Sequence, residues 1–297
     1  MLSSRLIPVT SLERNEVYLE DAYTSKEVEL MDTGLNNRHV LITGASGGIG
    51  FESARVFLEE GARVSATYNT NIRSLKELEP KWSDQLSTYQ VDIRDEGQVK
   101  ELFVQANDRF GRVDILIANA GIANHEGRAV HDMSLEQWHL TMSVNLTGTF
   151  LCAKHFFGNL KTHPDESASL ILIGSTAGFF GEAWYCDYSA SKAAMHGIMM
   201  SLKNEIVHLA PRGRVNLVNP GWTSTPMAED ALNDKETLRK ILQTIPMRKV
   251  ALPEDIAQTI LYLASDRLSG HVSGLTINVA GGMEGRVLYS QDELDLE

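Results

Sequence analysis

Tyr188 and Lys192 stand four residues apart in Tyr188-Ser-Ala-Ser-Lys192. On a helix that spacing puts both side chains on one face, one above the other. A phenol ionises near ~10 in water, so at neutral pH only about one in a thousand is phenolate. A neighbouring ammonium favours the charged form and lowers that value. A shift of about three units, roughly 4 kcal/mol, makes the phenol a usable proton donor and acceptor near neutrality. Such pairs are also common on helix surfaces, so the surroundings decide. Ser175 ends the apolar run Leu170-Ile-Leu-Ile-Gly-Ser175, thirteen residues before Tyr188. Its hydroxyl could hold a substrate carbonyl for proton transfer, or simply terminate a strand. Asn145, in Ser143-Val-Asn-Leu-Thr147, lies inside an apolar helical run. An Asn there is mildly unfavourable, so it either satisfies itself locally or has a polar task in the core.

Bringing these groups together needs a scaffold, and the chain alternates short apolar runs with helical patterns. Strands are expected at His39–Thr43, Arg63–Tyr68, Ser87–Val91, Asp114–Ala118, Leu170–Gly174, Val215–Val218 and Leu275–Val279. Helices are expected at Glu96–Phe110, Leu135–Leu160 with a break inside it, Asp187–Leu209 and Pro253–Ala264. The alternation predicts a single α/β domain, a Rossmann-type doubly wound parallel sheet of about seven strands with helices on both faces. Such sheets bind ligands beyond the C-terminal ends of their strands. The domain is expected over residues 37–284, after an extension at 1–36 that carries seven acids against three bases, with short pieces of order at Val17-Tyr18-Leu19. Residues 285–297 read as an acidic, mobile tail.

Between the first strand and the helix after it lies Gly44-Ala-Ser-Gly-Gly-Ile-Gly50. In that context glycines allow a tight turn and close backbone approach, and a helix N-terminus favours a pyrophosphate. Gly47 and Gly48 are adjacent, so the loop satisfies two glycine spacings and does not choose between the lineages that use them. An acid at the end of the second strand would bind ribose hydroxyls and repel a 2′-phosphate. Here the tip is Tyr68-Asn-Thr-Asn71 with Arg73 nearby, which favours NADP(H) while leaving NAD(H) open. Asp92 is either an acceptor for the adenine amino group or an acid at the start of the next helix. Asn119-Ala-Gly121 and Asn219-Pro-Gly-Trp-Thr223 are turns following strands. Cofactor contacts are expected from Gly44, Ser46, Gly48, Ile49, Gly50, Asn69, Asp92, Asn119, Gly121, Tyr188, Lys192, Pro220, Gly221, Thr223 and Thr225.

The composition narrows the partners. A net charge of −12 argues against nucleic acid, whose phosphates need clustered Lys and Arg. No apolar run approaches the ~18 residues of a membrane span. The two cysteines and nine histidines have no disulfide or metal-ligand spacing, so no metal is expected. Met1–Arg14 faintly resembles a transit peptide, but acids crowd in directly afterwards and there is no secretory apolar stretch. A cytoplasmic location is the expectation.

Taken together, the Thr43–Gly50 loop, Asp92, Asn119-Ala-Gly121, Asn145, Ser175, Tyr188 with Lys192, and Pro220-Gly221 resemble the short-chain dehydrogenase/reductase family, simple single-domain branch, over about Arg38–Met283. The resemblance implies interconversion of a ketone and a secondary alcohol with a nicotinamide cofactor. Tyr188 would be the acid/base, Ser175 would position the carbonyl, and Lys192 would lower the Tyr188 pKa and bind the nicotinamide ribose. Asn145 would hold a water in a proton relay. It also implies a homodimer or homotetramer built on the two long helices. The family's usual Asp-Gly-Gly is Ala280-Gly-Gly282 here. Leu202-Lys-Asn-Glu205 and Ile245-Pro-Met247 are similar to 3-oxoacyl reductases, while Tyr68-Asn-Thr-Asn71 and Ile117-Ala-Asn-Ala-Gly121 are similar to sorbose reductases and mannitol dehydrogenases. Phe179, Phe180, Trp184, Cys186, Trp222, Met227 and Leu232 are expected to face the substrate or simply to pack the lid, which the stretch Asn219–Val250 resembles. Two rival readings stay open: a nucleotide-binding regulatory protein without turnover, and a dehydratase or epimerase with bound NAD.

Overall fold

Parallel strands buried on both faces need apolar side chains at every position, and His39-Val-Leu-Ile42 and Ser169-Leu-Ile-Leu-Ile173 are fully buried along their length. The computed structural model describes residues 32–124, 126–290 and 293–294. Its strands are β1 (His39–Ile42), β2 (Arg63–Tyr68), β3 (Leu86–Gln90), β4 (Ile115–Ala118), β5 (Ser169–Ile173), β6 (Arg214–Pro220) and β7 (Thr276–Val279). They form one parallel sheet in the order β3-β2-β1-β4-β5-β6-β7, with Val40 opposite Ile115 where the order reverses. The helices are α1 (Gly48–Glu59), α2 (Glu79–Trp82), α3 (Glu96–Phe110), α4 (Leu135–Met142), α5 (Thr149–Thr162), α6 (Thr176–Phe180), α7 (Cys186–Glu205), α8 (Glu229–Asn233), α9 (Lys235–Leu242), α10 (Pro253–Ala264) and α11 (Asp266–Ser269).

Strand alternation divides the core in two. Val40, Ile42, Ile115, Ile117, Ile171 and Ile173 meet α1 and α10 on one face. Leu41, Leu116, Leu170, Leu172 and Leu217 meet α3, α5 and α7 on the other. Both faces are therefore covered, and only the strand ends are left for a ligand. At the tip of β1 the turn takes Gly44 to φ +62°, a left-handed conformation that suits glycine.

The sequence expectations hold for the sheet and shift at some ends. The expected break in the 135–160 helix is a π turn at Ser143–Gly148 that joins α4 to α5, and Asn145 sits in it. The 187–209 helix gives way at Ile206–His208 to a 3-10 turn. Ordered packing starts upstream of Asn37. Leu35 is in the core, the Thr33 hydroxyl donates to Glu60 Oε2 at 2.7 Å, and Ser265 Oγ donates to the Thr33 carbonyl at 2.6 Å. The rest of the N-terminal stretch, Val17-Tyr18-Leu19 included, lies outside the described residues. Within the stretch expected as a tail, Leu294 and Tyr289 bury apolar surface against Ile241, Leu242 and Ile245. No described helix is long and apolar enough to cross a membrane.

Candidate active site

One cavity of about 650 Å³ opens at the C-terminal ends of the strands, a size suited to a small organic ligand or cofactor. Every expected catalytic or cofactor-contacting residue lines it except Gly50 and Asn145, which stand directly behind its wall.

The glycine loop is held from the next strand. Asn119 Nδ2 donates to the carbonyls of Thr43 and Gly44 at 3.0 and 3.1 Å, and the Asn119 and Ala120 N–H groups both donate to Thr43 Oγ1 at 3.0 Å. This stapling needs Gly50, where a Cβ would come within 2.3 Å of the Gly44 oxygen and 2.6 Å of Asn119 Nδ2. The start of α1 has no side-chain cap and no acid in its first turn. Its N–H groups and positive dipole end are left for an anion. Asn119 thus builds the pocket, and Thr43, read from the sequence only as the start of the glycine loop, anchors it. A polar residue leaving a buried strand was the only signal.

At the outer end, Asn69, Thr70 and Asn71 line the cavity, while Arg73 is exposed outside its wall. Asn71 Oδ1 instead accepts from the Arg73 backbone N–H at 2.9 Å. The arginine that does reach the cavity is Arg94. It forks onto both oxygens of Asp92 at 2.5–3.0 Å, and that hydrogen bonding lowers the Asp92 pKa. Asp92 lines the cavity with its carboxylate paired to Arg94 and does not cap the next helix. Asp95 caps α3 instead, accepting from Gly97 and Gln98 N–H groups.

At the reacting end, α6 begins at Thr176, with Ser175 as its cap accepting from the Ala177 N–H at 3.1 Å. The Ser175 hydroxyl lines the same cavity as the Tyr188 phenol. Burial raises the Tyr188 pKa, and the neighbouring Ser175 hydroxyl opposes the rise. Burial thus works against the lowering expected from Lys192. The ammonium lies 5.7 Å from the phenol ring centroid and donates to the Ile173 carbonyl at 2.9 Å. Burial in turn lowers the Lys192 pKa to about 8. Desolvation by burial is the leading cause in both groups and penalises the charged form of each.

Asn145 is a clamp. Its Oδ1 accepts from Ile122 N–H at 2.8 Å, and its Nδ2 donates to the Ile122 carbonyl at 2.9 Å and to Ser191 Oγ at 3.0 Å. Ser191 donates onward to the Tyr188 carbonyl at 2.8 Å. The π turn therefore fixes both the Ile122 loop and the Tyr188 helix, in keeping with the frequent placement of such turns at functional sites. Gly121 must stay small, since a Cβ would lie 3.2 Å from Lys192 Nζ and 3.3 Å from Asn145 Oδ1. Asp187, 1% exposed, ties α7 to α4 by accepting from Thr141 Oγ1 at 2.6 Å. Only its place beside Tyr188 hinted at this.

The substrate end departs from the sequence reading. Trp222 and Met227 line the cavity. Phe179 and Trp184 are turned outward, 63% and 64% exposed, Phe180 and Cys186 are also exposed, and Leu232 packs within the lid. In their place stand Asn124, Leu140, Val144, Glu182 and Tyr185. Partial burial of its carboxyl raises the Glu182 pKa; burial and then the Glu182 charge raise that of Tyr185. Thr225 closes over the glycine loop, with its methyl where a side chain on Gly48 would be.

Residues 44–284 match a family model described as enoyl-(acyl carrier protein) reductase. The chain belongs to the short-chain dehydrogenase/reductase family. Among its relatives is a 3-oxoacyl-[acyl-carrier-protein] reductase of Synechocystis sp., 34% identical over 84% of this chain and 98% of that protein. A 3alpha-hydroxysteroid dehydrogenase of Mediterraneibacter gnavus is 33% identical over 83% and 97%. A sorbose reductase of Candida albicans is 31% identical over 84% and 87%. A crystal structure of a glucose/ribitol dehydrogenase of this family from Brucella melitensis superposes with a TM-score of 0.75 at 32% identity, over 84% of this chain and 97% of that one. This short-chain dehydrogenase/reductase is therefore an oxidoreductase of a family that uses NAD(P)(H). The bare α1 N-terminus and the close-packed glycine turn fit such a dinucleotide.

Proposed function

We propose that the protein is an NADP(H)-dependent oxidoreductase interconverting a ketone and a secondary alcohol, with Tyr188 as general acid and base. The observation that carries this reading is the convergence of Ser175, Tyr188 and buried Lys192 on one stretch of the cavity wall. The bound nicotinamide would supply or accept the hydride. Ser175 would donate to the substrate oxygen, holding it within reach of the phenol. Tyr188 would give that oxygen its proton in reduction and take it back in oxidation. Lys192 would bind the nicotinamide ribose and, once drawn toward Tyr188, favour its phenolate. Asn145 acts by position, since its side chain is engaged by Ile122 and Ser191.

The choice of NADP(H) over NAD(H) rests on the uncharged Asn69–Asn71 tip and on Arg94 at the same end of the cavity. The acyl-carrier-protein reductases among the relatives support the direction of the reading. Phe150 of α5 and Met200 of α7 are exposed apolar side chains, in keeping with a homodimer or homotetramer built on these helices. The test is an affinity comparison of NADPH with NADH, followed by a panel of ketones and alcohols scored at the nicotinamide absorbance band. Turnover that survives Tyr188→Phe at full rate would overturn the mechanism.

A further inference from the structure

The segment Asn219–Val250 bears the cavity residues Trp222, Thr225 and Met227 and has a small core of its own. Ile241, Leu242 and Ile245 are buried there, with Trp222 packed against them. That core is completed from outside the lid. Leu294, 7% exposed, and Tyr289 join it from beyond residue 284, where the family match ends.

The attachment is specific. Leu288 N–H donates to the Gln243 carbonyl at 2.7 Å, Gln243 Nε2 to the Tyr289 carbonyl at 2.9 Å, and Tyr289 Oη to the Pro246 carbonyl at 3.1 Å. The Arg248 guanidinium lies 4.1 Å from the centroid of the Tyr289 ring, and its Nη1 donates to the Glu293 carbonyl at 3.4 Å. Arg248 has φ +51°, a conformation that persists only where its surroundings hold it. On the opposite side, Gly285 lies against Phe180 at the end of α6, the helix capped by Ser175. A lid helix of eight residues has little stability of its own in water. Its opening is governed by the contacts that dock it.

We propose that residues 285–290 with 293–294 form an intramolecular strap that holds the lid over the substrate end of the cavity. In it Tyr289 and Leu294 act as positioning residues that set the place of Trp222 and Met227. The effect on substrate selection rests on the oxidoreductase reading; the effect on the lid does not. Removing the strap's anchors raises the open population of the lid, and proteolysis reports that population when opening is fast relative to cleavage.

The test uses the full chain carrying Tyr289→Ala and Leu294→Ala, with tryptic cleavage at Lys235, Arg239 and Lys240 followed by mass spectrometry. Lid cleavage is expected to speed up about tenfold, with the KM for a turned-over ketone rising by a similar factor and kcat changing less than about twofold. Unchanged lid cleavage overturns the strap. If the double variant loses its thermal transition altogether, Tyr289→Phe decides. It removes only the bond to the Pro246 carbonyl, and must speed lid cleavage about threefold if the strap holds the lid. No change there also overturns the proposal. Absence of turnover by the unmodified chain would count against the oxidoreductase reading alone, because cleavage is read without substrate.

Discussion

The two ends of the cavity are built in different ways. The cofactor end is made of strand tips and backbone. Thr43, Gly44 and Asn119 lock one another through hydrogen bonds of 3.0–3.1 Å, and Gly50 leaves no room for a Cβ. The substrate end is made of side chains carried on loops, Glu182, Tyr185, Trp222 and Met227, under a lid whose core is finished by the C-terminal segment. One end is rigid because its partners are main-chain groups of a buried sheet. The other can change its lining by changing a few loop residues, which is how one scaffold serves many substrates.

The contrast can be broken by experiment. The largest effect is expected at the junction. Tyr188→Phe should lower kcat by about 10²–10⁴ while leaving NADPH affinity within about twofold, checked by steady-state kinetics and fluorescence titration. A matching loss of cofactor affinity would show that the phenol belongs to the rigid end.

Gly50→Ala comes next. A methyl group there meets main chain, which cannot swing aside, and should cost about 1–3 kcal/mol with weakened cofactor binding. Thermal unfolding with and without NADPH measures it; an unchanged midpoint would mean the glycine turn is softer than its contacts imply.

The pH dependence of Lys192 follows. Its pKa falls from 10.5 in the unfolded chain to about 8 in the folded one. Between those values the unfolded chain keeps a proton that the folded chain has lost, so this group makes stability rise with pH across that window. The raised Tyr188 pKa works the other way above ~10, so the rise should show between about pH 8 and 10 in denaturant titrations. NADPH affinity should fall over the same range as the ammonium is lost. The smallest effect is expected from Glu182→Gln, which should move substrate KM by less than about tenfold and leave cofactor affinity unchanged. A loss in cofactor affinity instead would erase the distinction between the two ends.

How much of this was legible in the chain follows the same division. The strand pattern gave the sheet, because side chains in a doubly covered sheet must be apolar at successive positions. Arg63–Tyr68, Glu96–Phe110 and Pro253–Ala264 match their expected bounds. The glycine loop and the Tyr188–Lys192 pair were readable because their meaning lies in local spacing. Arg94 was missed in favour of Arg73 because both lie near a strand tip, and only the fold decides which arginine faces the cavity. The outward turn of Phe179 and Trp184 was unreadable for the same reason, since apolar character says nothing about which wall of a loop a side chain joins.

By itself the sequence determined the order of elements, the glycine turn and the pairing of Tyr188 with Lys192, because periodicity, conformational freedom and helical spacing are local properties. The tertiary structure alone decided the direction of the Tyr188 pKa shift, the pairing of Asp92 with Arg94, the clamp formed by Asn145 and the seating of Tyr289 and Leu294 on the lid. Each of these depends on burial or on a partner set by packing, and neither is expressed until the chain has closed on itself.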